Sequence, residues 1–332
     1  MTWTAGSAAG EAVLSLGMLA VSALLPACGS DADKSAATSP QASSLDGKSP
    51  ASALGLQLVA EKKLSKLFSS KDIDHYEASG VVASSGTLYV ASDNTTEIGA
   101  VDTSLNEGTL GPGDATDSQY EAITVTDDGR FYAMIESADA TDTRGAVAEL
   151  DATTTLVGQA FTDVAFEHVN KGFEGLAWLR IAGTEYLLAL CENNNCTDDD
   201  STPGKGRIKL LTLVGGVWTT EATLKLPSSV AFLNYSDLAL QQNDDGTFAV
   251  AIVSHKSSAL WLGTLSTSPW ALTGPGIFYA FPRTADGAIQ YCSVEGVTFL
   301  GPSVFAVVSD KADGSTVCSA KEESIHIFQT PL

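Results

Sequence analysis

Basic side chains are scarce in this chain. Its 332 residues carry 18 Lys and Arg against 40 Asp and Glu, a formal net charge of −22 at pH 7. Such a surface repels phosphate backbones and anionic lipid head groups, so nucleic acid is excluded as an expected partner and cations are the natural guests. A solubilising acidic coat is the plainer use of the same charge. No GxSxG, HExxH, P-loop or GxGxxG motif occurs, which removes the common signatures of nucleophilic, zinc-hydrolytic and nucleotide chemistry. No Lys/Arg cluster is present to hold a phosphate. The four histidines, His75, His168, His255 and His326, are scattered. No long amphipathic helical period is found.

The one long apolar run lies at the N-terminus. Residues 12–27, "AVLSLGMLAVSALLPA", match a signal-peptide core in length and are short for a membrane span. The run ends in "LLPAC", which resembles the lipobox of bacterial lipoproteins and implies cleavage before Cys28 and lipidation of that cysteine. Met1–Gly10 has no Lys or Arg and Glu11 is acidic, unlike the basic start of such leaders; ordinary secretion is the alternative. Residues 28–53 are rich in Ser, Ala, Asp and Pro and read as a disordered tether. The expected organisation is a signal over 1–27, a tether over 28–53 and a folded domain over 54–332. The expected location is the outer membrane, cell surface or periplasm, with membrane contact only through the lipid.

Four cysteines remain: Cys191, Cys196, Cys292 and Cys318. An even number in an exported chain suggests disulfides, with three connectivities open. Cys191 and Cys196 flank "ENNN" and would close a small loop, leaving Cys292 to pair with Cys318. A zinc site is the alternative, but no CxxC pair or nearby His supports it. "CTDDDSTPG" at 196–204 lacks EF-hand spacing and reads as a solvated insertion.

What the sequence does have is a repeat. "YEASGVV", "YEAIT", "FEGLAW", "YSDLAL" and "VEGVTF" align at Ser79, Glu121, Glu174, Ser236 and Glu295. Each is followed by a Gly, Asp or Pro turn, a second apolar strand and then a third. The interval between repeats runs from 42 to 62 residues, close to the length of a β-propeller blade. The expected fold is an all-β propeller of five blades, with "LGLQLVAEKKL" completing the last one. The long third interval leaves room for a sixth, degenerate blade.

First strands of propeller blades line a central channel. Glu121, Glu174 and Glu295 would converge there, with Ser79 and Ser236 completing the ring and Glu77 and Asn234 two residues earlier. The second strands end in Asp93, Glu136, Glu192, His255 and Asp310, a second polar set at one end of the blades. Crowded carboxylates either hold protons or bind a cation, and hard oxygen donors favour Ca²⁺ or Mg²⁺. The expected metal residues are therefore Glu77, Glu121, Glu174 and Glu295. Scaffold roles, such as capping strand ends, are the plainer use. His255 stands where the other repeats carry Asp or Glu, and reads as a hydrogen-bonded loop histidine before it reads as a general base.

The ordered blocks over residues 56–330, "YEASGVV…LYVASDN" through "VEGVTF…FAVVSDK", resemble the SdiA-regulated family of bacterial β-propellers. They are also similar to phytase-like propellers described as esterase-like. The resemblance implies an exported, often anchored propeller with an acidic channel able to hold calcium, and it implies that Glu77, Glu121, Glu174 and Glu295 lie in that channel. Asn234 departs from the acidic residue such proteins carry there. Two function classes follow: a monomeric, non-enzymatic binding or scaffold propeller for a divalent cation and a small ligand or protein, and a calcium-dependent hydrolase of phosphate or carboxylic esters. A lyase or sugar-modifying enzyme would need an acid–base pair that the sequence does not display.

Overall fold

The computed structural model describes residues 53–69, 73–113, 118–136, 142–168, 171–197, 199–200, 202–312 and 317–331. The signal, Cys28 and nearly all of the tether lie outside them. Among the described residues, no helix is long and apolar enough to cross a membrane.

Alternating apolar runs broken by Gly/Asp turns fold as antiparallel meanders. After β1 (Leu54–Gly55), β2 (Gln57–Lys63) and a single helical turn, α1 (Leu64–Leu67), the chain makes five blades. Blade one is β3 (Ala78–Ser84), β4 (Thr87–Ser92), β5 (Thr95–Asp102) and β6 (Gly108–Leu110). Blade two is β7 (Tyr120–Val125), β8 (Phe131–Ile135), β9 (Arg144–Leu150) and β10 (Leu156–Ala165). Blade three is β11 (Phe173–Ile181), β12 (Thr184–Cys191), β13 (Arg207–Val214) and β14 (Val217–Lys225). Blade four is β15 (Asp237–Gln242), β16 (Phe248–Ser254), β17 (Ala259–Thr267) and β18 (Trp270–Ala280). Blade five is β19 (Val294–Gly301), β20 (Val304–Ser309), β21 (Ser324–Gln329) and the N-terminal β2.

The fold is the expected five-bladed propeller, closed by its N-terminal strand. β2 lies antiparallel to β21, with Glu61 opposite His326. The opening segment is divided, however. β1 pairs in parallel with β18 of blade four, Leu54 opposite Tyr279, and only β2 belongs to blade five. Among the described residues, no sixth blade occupies the third interval. Its length goes into the nine-residue β11 and β14, the loop around Cys191–Cys196 and the segment between β14 and β15. Blades two and three also touch at their outer edges through a single parallel pair, Thr162 with Trp218.

Apolar side chains from the faces of adjacent blades interlock between them. Leu188, Leu190 and Ile208 of blade three pack with Val250, Ile252 and Trp261 of blade four. The inner strands β3, β7, β11, β15 and β19 contact one another in cyclic order. Their approach requires small residues: a Cβ on Gly80 would fall 2.8 Å from Ala122 Cα, and one on Gly175 would fall 2.8 Å from Leu238 N.

Side chains of the inner strands also bond across every seam. Ser79 Oγ donates to the Tyr120 carbonyl between blades one and two. Thr124 Oγ1 accepts from Trp178 N–H (3.0 Å) between two and three. Asp237, in the fourth blade, accepts from Leu176 N–H of blade three and from Val297 N–H of blade five (2.8 Å). Thr298 Oγ1 accepts from Ala83 N–H (3.1 Å) between five and one.

Two outcomes follow for urea unfolding. A chain shortened to residues 54–332 keeps one cooperative transition, whereas one shortened to 64–332 loses it because blade five is left open. Asp237→Ala strands amides on both sides and costs about 3 kcal/mol or more, while Thr298→Val costs about 1 kcal/mol. Equal effects for the two substitutions would contradict the two-sided role of Asp237.

Candidate functional site

All five inner strands begin at the same end of the channel. The register places Ser79, Glu121, Glu174, Ser236 and Glu295 there, one per blade, with Gly80, Ala122, Gly175, Asp237 and Gly296 as the next ring inward. The second-strand ends bring Asp93, Glu136, Glu192, His255 and Asp310 to the same mouth.

The carboxylates sense one another strongly. Burial raises Glu121 well above the usual carboxylate range, and Glu136, Asp93, Glu295 and Asp310 push it further. Burial does the same to Glu174, with Glu121, Glu192, Glu136 and Glu295 adding to it. Both side chains keep partial access to the channel although protein surrounds them. Asp310 is pushed up to about 8, first by burial and then by Glu295, Asp93 and Glu77; the Lys311 N–H works against this. The eight acids of the two predicted sets therefore form one basin. Basic side chains reach it as well: Lys171 Nζ lies 2.8 Å from Glu192, and His255 Nδ1 lies 2.8 Å from Glu295 Oε1.

The fourth blade contributes differently. Asn234 and Ser236 are neutral and seat His255: its Nδ1 lies 3.1 Å from Asn234 Nδ2 and 3.1 Å from Ser236 Oγ. Asn234 Oδ1 in turn accepts from Ser254 Oγ (2.9 Å) and Lys256 N–H (3.2 Å). His255 thus links blade four to Glu295 of blade five. The acid of this blade sits one residue later, at Asp237, where it bonds amides. Burial raises its proton affinity against the pull of the amides of Val297, Leu238 and Leu176.

Donor chemistry at the mouth suits a hard cation. Geometry is less committed: among the described residues, no group of three or more His, Cys, Asp or Glu side chains is arranged to hold a metal ion. Glu77, Glu121, Glu174 and Glu295 share the basin without forming such a group. Beside the mouth a cavity of about 310 Å³ is lined by His255, Ser293, Glu295, Asp310, Lys311 and Ala312, with the Cys292–Cys318 disulfide in its wall. The second disulfide, Cys191–Cys196, closes a loop at the end of β12 next to Glu192. At the other end, the channel holds a cavity of about 190 Å³ lined by Val82, Ile123, Thr124, Trp178, Gln241, Phe299 and neighbours, none of them titratable.

Ser309, His326 and Glu61 form a row that sequence order hides. His326 Nε2 lies 3.3 Å from Ser309 Oγ, and its Nδ1 lies 3.3 Å from Glu61 Oε2, at ion-pair distance but without hydrogen-bond geometry. Ser309 is 1% exposed and His326 0%, enclosed within blade five. No substrate reaches this serine. The row is a clamp on the closing strand, and the His326 ring together with the Lys321 ammonium hold Glu61 down to about 2.

No protein-family model matches the chain, and no curated protein matches it. The SdiA-regulated resemblance therefore stands on its short motifs. Solved structures with a similar chain path are propeller proteins at low identity. They include the Dos1 propeller (11% identity, 77% of this chain and 62% of that one, TM-score 0.41). Glutaminyl cyclase from Myxococcus xanthus gives 9%, 84%, 100% and 0.46 for the same measures. Regucalcin from Agrobacterium tumefaciens, described as a calcium-binding protein, gives 12%, 77%, 76% and 0.41. The chain spans less than two thirds of the Dos1 structure.

The raised carboxyls set a pH dependence. The folded state keeps protons that the unfolded chain releases near pH 4, so this stabilisation is complete below about pH 4 and is lost as pH rises through about 8 for Asp310. Denaturant titrations at pH 5 and pH 8 are expected to show a smaller fall for Asp310→Asn than for the wild type, by about 1 kcal/mol or more. Parallel curves would contradict the assignment.

Proposed function

We propose that this chain is an exported, non-enzymatic binding propeller whose acidic channel mouth takes up a cation, with a divalent metal such as Ca²⁺ as the inorganic candidate. The observation that carries the reading is the pair Glu121 and Glu174. Burial and neighbouring carboxylates, with no compensating hydrogen bond among the main influences, dominate the surroundings of both. A bound cation would relieve that repulsion, and proton uptake is what the site does otherwise. Glu77, Asp93, Glu136, Glu192, Glu295 and Asp310 are the further acids of the basin. Export is supported by the two disulfides, since such bonds persist in oxidising compartments. Anchoring would come from lipid on Cys28, with residues 29–53 as tether.

A hydrolase reading has less behind it. The mouth's histidine is held by Glu295, Asn234 and Ser236, and the Ser309–His326 row is enclosed. A nucleophile or free base beside the basin would be needed for metal-activated hydrolysis.

Thermal unfolding at pH 7.5 with CaCl₂ or MgCl₂, against NaCl of equal ionic strength, tests the reading. A ligand of the native state adds RT ln(1 + [L]/Kd), about 2.7 kcal/mol at a hundredfold excess over Kd. The expected result is a divalent-specific rise that Glu121→Gln and Glu174→Gln reduce at least tenfold in apparent affinity. A rise no larger than that from matched NaCl would contradict divalent-metal uptake.

A further inference from the structure

The cavity beside the mouth has a shape that the basin alone does not explain. It encloses about 310 Å³ on the seam between blades four and five. That volume is at the lower end for small-molecule sites and far more than one ion or water needs. Glu295 and Asp310 supply its carboxylates, and Ala312 with the Cys292–Cys318 disulfide supplies an apolar wall. Lys311 and His255 also line it. The Lys311 side chain is exposed, so its charge is solvated, and His255 Nδ1 lies 2.8 Å from Glu295 Oε1.

Metals and ammonium groups ask different things of such a wall. Ca²⁺ needs six or more oxygens converging at about 2.3–2.6 Å. The described residues form no group that converges in this way. A primary ammonium needs separate acceptors at about 2.8 Å for three diverging N–H donors, and its carbon body needs room against an apolar surface. Carboxylates spaced around a roomy, half-apolar cavity meet the second set of demands.

We propose that this cavity binds a compact primary-ammonium compound, its NH₃⁺ group bridging Glu295 and Asp310 and its carbon body lying on Ala312 and the Cys292–Cys318 disulfide. The proposal rests on the reading of the mouth as a cation site and names the ligand class.

Calorimetric titration of the full chain with butylamine hydrochloride tests it, with 1-butanol as the neutral isostere and CaCl₂ in parallel. Butylamine binds at least tenfold more tightly than 1-butanol. Asp310→Asn weakens butylamine at least tenfold. Ala312→Trp fills the cavity while keeping both acids, and abolishes butylamine binding; circular dichroism verifies that each variant is folded. Equal binding of butylamine and 1-butanol, or unchanged binding in folded Ala312→Trp, overturns the proposal. If CaCl₂ binds and butylamine does not, the mouth remains a cation site and this proposal falls. If neither binds, both fall.

Discussion

The structure depends on how the inner strands of five blades are held in a ring. An inner strand pairs with its own blade on one side only, so its other edge cannot use a backbone ladder to reach the next blade. Side chains make that connection instead. Ser79, Thr124, Asp237 and Thr298 between them span all five seams, each from a hydroxyl or carboxyl to a main-chain group. Asp237 spans two, which is why one acid among the glycines and alanine of its ring is tolerated. Buried amides demand partners, and these partners also fix the height of each inner strand along the channel.

Fixing that height brings the acids together. Once Gly80, Ala122, Gly175, Asp237 and Gly296 occupy one level, Glu121, Glu174 and Glu295 must occupy the level above. The second strands then add their terminal acids to the same mouth. The packing that closes the ring therefore opposes the repulsion it creates. Carboxyls with raised proton affinity are the measurable form of that opposition. At the far end of the channel the same strands present Val82, Ile123, Trp178 and Phe299, so the two ends differ in chemistry although one set of strands builds both.

Much of the architecture was legible because it recurs. The spacing of five similar blocks, the Gly and Asp turns and the leftover N-terminal strand are each set by local chemistry, and they sufficed for a closed five-bladed ring. The half-cystine spacing pointed to the pairs that form. The seam bonds were not legible. Thr124 and Thr298 look like ordinary strand residues, and their role depends on which amide of the next blade comes opposite. Asp237 was masked by alignment: "YSDL" places its acid one position after the Glu of the other blocks, and a one-residue shift on a strand turns a side chain to the opposite face. Comparing Asp237 with the glycines aligned to it was the available signal. The division of residues 54–63 between two blades, and the seat of His255 between Asn234, Ser236 and Glu295, arise from contacts between blades rather than from sequence period. The mutual distances of the channel acids depend on how neighbouring blades pack, which no single block of sequence specifies.

The central claim is that the mouth holds carboxyls that are protonated or cation-bound well above the ordinary carboxylate range. Carboxyl-carbon NMR of protein labelled at Glu and Asp reads this directly, with Glu121→Gln, Glu174→Gln and Asp310→Asn assigning the signals. The account predicts three carboxyls that titrate well above the others, that of Asp310 near 8, and whose midpoints fall when a bound cation replaces the proton. Ordinary titration of all three near pH 4, unchanged by any cation, would contradict it.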